Sequence, residues 1–112
     1  MANIPIRTGV YSGIRTEGCK VFRPDGTPLP LHLEVYDHSP TGFEWGFGGS
    51  GPAQLALAIL VDHLGNVEEA RSLYQRFKWR VIAVLPRDKP WTLSPDEIAL
   101  HISRISLKEG SK

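Results

Sequence analysis

Along the first half of the chain, apolar residues recur at every second position. Val10, Ser12 and Ile14 alternate with Tyr11, Gly13 and Arg15, and Lys20-Val21-Phe22 forms a second short apolar segment. This period predicts strands, because successive side chains of an extended chain point to opposite faces. Arg23-Pro24-Asp25-Gly26 predicts a turn, with proline presetting φ and glycine accepting a positive φ. Leu29, Leu31, Leu33 and Val35 then share one face of a period-two segment, and His32, Glu34 and Tyr36 share the other. Pro28 and Pro30 confine its start to a sheet edge. After a turn at 38–42, Phe43, Trp45 and Phe47 fall on one strand face, so the two segments predict a hairpin.

The second half changes to helical period. Pro52 suits the first position of a helix over 52–64, which is apolar nearly all round and therefore predicts a buried central helix. Gly65 closes it, and Asn66 caps the next helix with Glu69 three places on. Val67, Ala70, Leu73, Tyr74 and Phe77 form the inward stripe of that helix. Glu68 and Glu69 at its start and Arg76 and Lys78 at its end suit the helix dipole. Trp79 to Leu85 alternates with apolar residues on both faces at its centre, which predicts an interior strand. After a polar break at 86–90, Ser94 and Glu97 form a capping box around Pro95, with Leu93 and Ile98 placed as a hydrophobic staple. Ile98, Ile102 and Ile105 continue inward, and 108–112 reads as a flexible tail. The expected architecture is one α+β domain over 1–107. A small antiparallel or mixed sheet packs on the buried helix, in the order strands, helix, helix, strand, helix.

Composition removes several functions. A length of 112 residues suits one domain, and a net charge of +1 is far from that of a dedicated nucleic-acid neutraliser. Cys19 is the single cysteine, which excludes an intrachain disulfide and a multi-thiolate metal site and favours a reducing, cytoplasmic setting. The longest apolar run, Leu55 to Val61, is too short to span a membrane, and the first residues lack the pattern of a signal peptide. His32, His38, His63 and His101 fall in different elements without metal-ligand spacing, and no G-x-S-x-G elbow accompanies Ser50. Binding without a cofactor or metal is the expectation, rather than catalysis.

The candidate chemistry lies at the junction of the expected hairpin and the central helix, where five glycines fall between positions 42 and 51. Glycine lets a ligand approach the backbone closely, and a helix start presents free N–H groups and a positive dipole end. Gly48, Gly49, Ser50, Gly51 and Gln54 are therefore candidate ligands for an anion. Trp45 and Phe47 would stack on a base, and Lys78 or Arg80 would balance charge. Lys78 and Arg80 are two apart, so on a strand they project from one face. A nucleotide would satisfy both features. The competing reading makes the glycines a tight bend and the aromatics core. The junction lacks the lysine and spacing of a P-loop and is no dinucleotide fingerprint. A protein-interaction module, self-association and nucleic-acid binding are the alternatives.

Glu44-Trp45-Gly46-Phe47-Gly48-Gly49-Ser50-Gly51-Pro52-Ala53-Gln54-Leu55-Ala56 resembles the W-G-(F/Y)-G-G-S-G-P-x-Q-L-A signature of domain-of-unknown-function family 6166. The similarity extends through Phe77-Lys78, Val81 to Pro86, and Trp91 with the closing helix, covering most of 10–105. The resemblance implies a small cytosolic protein of bacteria, archaea or their viruses and plasmids. It carries no catalytic residue. It adds a host protein as the alternative partner, in the manner of a phage-encoded inhibitor of a defence complex.

Overall fold

Two strands at the start of the chain, β1 (Tyr11–Thr16) and β2 (Gly18–Phe22), pair antiparallel across a turn at Glu17. The computed structural model describes residues 8–110, with side chains through 106. A third strand, β3 (Trp91–Leu93), pairs antiparallel with the other side of β1, giving the order β2-β1-β3. Gly13 stands opposite both Val21 and Trp91, so Tyr11, Val21, Trp91 and Leu93 share the sheet face turned to the core. Three helices complete the α+β fold: α1 (Ser50–Leu64), α2 (Val67–Arg80) and α3 (Pro95–Gly110).

Helix α1 is the buried element, with every residue from Pro52 to Val61 buried. It starts at Ser50, so Pro52 occupies the third helical position rather than the first, still within the turn whose N–H groups lack intrahelical partners. Gly65 ends it at φ 64° and donates its N–H to Val61. Asn66 caps α2 by accepting the Glu69 N–H at 2.9 Å. The capping box of α3 is complete. Ser94 Oγ accepts the Glu97 N–H at 3.0 Å, and Glu97 Oε1 accepts the Ser94 N–H at 2.8 Å. Tyr11 donates to Asp62 at 2.6 Å and fastens the sheet to the end of α1.

Two expectations are corrected. Segment 79–85 is not a strand. The stripe Ala70, Leu73, Tyr74 and Phe77 continues at helical spacing to Val81, whose N–H still donates to Phe77, so α2 runs through Arg80 and a 3-10 turn follows at Ile82–Val84. The hairpin expected from 29–35 and 43–47 does not form. Leu29 donates to Val21 beside β2, and the chain then turns at His32, which holds a left-handed φ of 57°, and runs irregularly to the start of α1. Trp91 to Leu93, assigned to no element from the sequence, form the third strand. Helix α3 reaches Gly110 and so takes in the first part of the expected tail; residues 111–112 lie outside the described residues.

Candidate functional site

The irregular segment before α1 is held chiefly from Gln54, with His38 also bonded to the Tyr74 hydroxyl at 2.7 Å. Gln54 is fully buried, and its amide makes four hydrogen bonds: Nε2 donates to the carbonyls of Leu31 at 2.7 Å and Tyr36 at 2.9 Å, while Oε1 accepts the N–H groups of His38 and Ser39. These bonds do for residues 31–39 what a strand ladder would have done, and they use the whole bonding capacity of an amide. Gln54 is therefore a structural post, and it has no donor left for a ligand.

Phe43 and Trp45 both point inward as their alternation requires. Gly46, at φ 87°, breaks the alternation and turns Phe47 out to 38% exposure. Trp45 is fully buried edge-on against Trp91, with ring centroids 5.4 Å apart, and the Arg15 guanidinium covers it at 4.8 Å. Exposing a side chain of roughly 200 Å² would cost roughly 5 kcal/mol. Stacking a base returns only about 1–3 kcal/mol. Burial therefore removes Trp45 from the stacking role that the sequence suggested for it.

A different tryptophan takes that place. Because α2 extends past Lys78, Trp79 lands on the glycine-rich corner, 61% exposed. Its indole lies against the Gly48 backbone: a Cβ at position 48 would stand 2.1 Å from the ring. Lys78 is 8% exposed, and its ammonium rests 4.4 Å from the same ring. On the other side of the corner the Arg87 guanidinium lies 5.1 Å over Phe47. Neither cation has a carboxylate partner among the described residues. Phe47, Gly48 and Ser50 are open to solvent at the start of α1. Gly51 is spaced for packing, since a Cβ there would stand 2.6 Å from that of Glu44.

Arg80 is not at this corner. Residues two apart on a helix project about 200° from one another, so Lys78 turns to the corner and Arg80 to α3, where its Nε donates to His101 Nδ1 at 3.0 Å. The corner thus gathers Phe47, Gly48, Gly49, Ser50 and Lys78 from the sequence-derived set and leaves Trp45, Gln54 and Arg80 elsewhere. Trp79 and Arg87 are the residues that sequence reasoning missed. For Trp79 the signal existed: it lies off the Leu73, Phe77, Val81 stripe once that stripe is followed one turn further.

Arg15 anchors the corner to the sheet. Its Nη1 donates to both oxygens of Glu44, at 2.8 and 2.9 Å, and its Nε donates to the Arg87 carbonyl at 3.0 Å. Partial burial by itself would raise the Glu44 carboxyl, but the hydrogen bonds from Arg15 and Cys19 and the guanidinium charge hold it below the usual range. Burial pushes the Cys19 thiol up, and the Glu44 charge adds to this. Arg15, Cys19 and Glu44, with Ser39 and Thr41, line a cleft of about 450 Å³. No group of three or more potential metal ligands is found among the described residues, and no helix in them is long and apolar enough to cross a membrane.

Comparison with curated proteins and with solved structures gives no match. A family model, described as a family of unknown function (DUF6166), matches residues 11–104. That range runs from the first residue of β1 into α3 and takes in the whole glycine-rich corner, so the chain belongs to the DUF6166 family.

Proposed function

We propose that this protein binds, without transforming it, an anionic ligand bearing a flat ring, with nucleotides as the class that fits. The ligand lies on the open surface where the glycine-rich corner meets the last turn of α2. One observation carries the reading: Lys78, a nearly buried cation without a carboxylate partner among the described residues, shares the Trp79 ring with the exposed Gly48 backbone. A phosphate at this point meets the ammonium and the positive end of α1, where Ser50 and Gly51 present N–H groups. The base lies along the exposed part of Trp79, with Phe47 and Arg87 on the far side.

Titration calorimetry with nucleoside monophosphates and diphosphates tests the proposal on wild type and Trp79→Ala. The expected result is saturable binding that weakens at least about tenfold in the variant, the loss of one stacked base. Equal affinity in the two proteins would remove Trp79 from the site and the proposal with it.

A further inference from the structure

We propose that Arg80, His101 and Arg104 form a second anion site, for a phosphate group, at the seam between α2 and α3. Arg80 stands in the last turn of α2 and donates its Nε–H to His101 Nδ1 at 3.0 Å. His101 and Arg104 are three residues apart on α3 and therefore neighbours on one face. Arg80 and Arg104 are exposed and His101 is partly buried, and both arginines stand close enough for their charges to act on the imidazole. The carboxylate whose charge acts on His101 is Glu97, one turn before it on α3, and its Oε1 already accepts the Ser94 N–H at the start of that helix. Neither arginine has an ion pair among the described residues. Arg76, one turn back along α2, donates to the Ser72 carbonyl.

The donor inventory selects the ligand. With Nδ1 accepting from Arg80, a neutral imidazole carries its hydrogen on Nε2, and both guanidinium groups are donors only. The cluster presents N–H groups and no acceptor, which suits the acceptor-only oxygens of a phosphate and excludes a metal cation. Burial first, then the charges of Arg80 and Arg104, push the imidazolium form of His101 down against the opposing charge of Glu97, so two guanidinium groups flank a ring that resists charging. The site stands apart from the glycine-rich corner, because Lys78 and Arg80 leave α2 on opposite sides. The phosphate can come free in solution or from a phosphodiester backbone.

The test is an NMR pH titration of His101 in the full chain. It is run with inorganic phosphate, with a short single-stranded oligonucleotide, and with chloride at matched ionic strength. Bound phosphate offsets the two guanidinium charges, so the His101 midpoint is expected to rise by roughly one unit. Arg80→Ala and Arg104→Ala should each weaken phosphate roughly tenfold, the loss of one charge-assisted contact. Movement with inorganic phosphate assigns a free-anion site, and movement with the oligonucleotide alone assigns a backbone contact; both support the proposal. An unchanged midpoint with both probes, an equal shift with chloride, or a shift that survives both substitutions would overturn it. None of these results depends on Trp79, so failure here and failure at the corner are read separately.

Discussion

Trp79 lies flush against the backbone of Gly48, so close that a single added carbon at position 48 would stand 2.1 Å from its indole. The contact joins the end of α2 to the start of α1 and brings the Lys78 ammonium to the same surface. Gly48→Ala should push the indole off the corner. Because Trp79 is exposed, the stability cost should stay below about 1 kcal/mol, whereas nucleotide binding should fall with it. In a Trp79→Ala background the same substitution should cost nothing further. A double-mutant cycle read by urea unfolding measures this coupling.

Gln54→Leu removes an amide that completes four backbone hydrogen bonds in a fully buried setting. Two N–H groups and two carbonyls of residues 31–39 then lose their partner. Unsatisfied buried groups cost about 1–3 kcal/mol each, and partial access to water lowers the sum. The expected loss is about 3 kcal/mol, with earlier hydrogen exchange at His38 and Ser39. Denaturant unfolding and amide exchange check both; native protection at these two amides would contradict the assignment.

The Glu44 carboxyl is held below its ordinary value in the folded protein, with burial opposing the shift and the Arg15 hydrogen bonds outweighing it. Such a group contributes stability above the unfolded-state value of about 4.3, and the contribution is lost as pH falls through the folded value. Glu44→Gln should therefore flatten the acid side of the stability profile below about pH 4.3. Both partners are about one-third exposed, so the effect is modest. A profile with unchanged acid slope would show that the pair contributes nothing.

Tyr11 titrates in the opposite sense. Burial, the hydrogen bond to Asp62 and the Asp62 charge all raise its hydroxyl above the ordinary tyrosine value. Its contribution is complete below about pH 10 and is lost as pH rises above that. Tyr11→Phe should lower stability at neutral pH by about 1–2 kcal/mol and should lessen the decline above about pH 10. Chemical denaturation at neutral and high pH separates the two effects.

Local signals of capping and burial are legible in this sequence. Ser94 with Glu97, Asn66, Gly65 and the apolar run at 55–61 all appear in the structure in the roles that their chemistry requires. Strand assignments from alternation are less secure. Residues 29–35 alternate, yet Leu29 pairs with Val21, Val35 donates back to His32, and the Leu31 carbonyl is taken by Gln54 arriving from α1, so no partner strand is needed. Residues 79–85 alternate as well, but the helical stripe passes through Val81 and the tertiary contact wins. That one misreading hid Trp79 and put Lys78 and Arg80 on a common face. The glycines were legible as a corner, but the side chains that fill it come from residues 79 and 87, which spacing along the chain cannot connect.

The most direct measurement is a thermal-shift panel of nucleotides, their parent nucleosides and simple anions against wild type and Trp79→Ala. A ligand at one hundred times its Kd stabilises the fold by about 2.7 kcal/mol. In a domain of this size that raises Tm by roughly 10 °C. Such a shift is expected for one nucleotide class, with little for the nucleoside without phosphate and loss of the shift in Trp79→Ala. A flat panel in the wild type, or an undiminished shift in the variant, would contradict it.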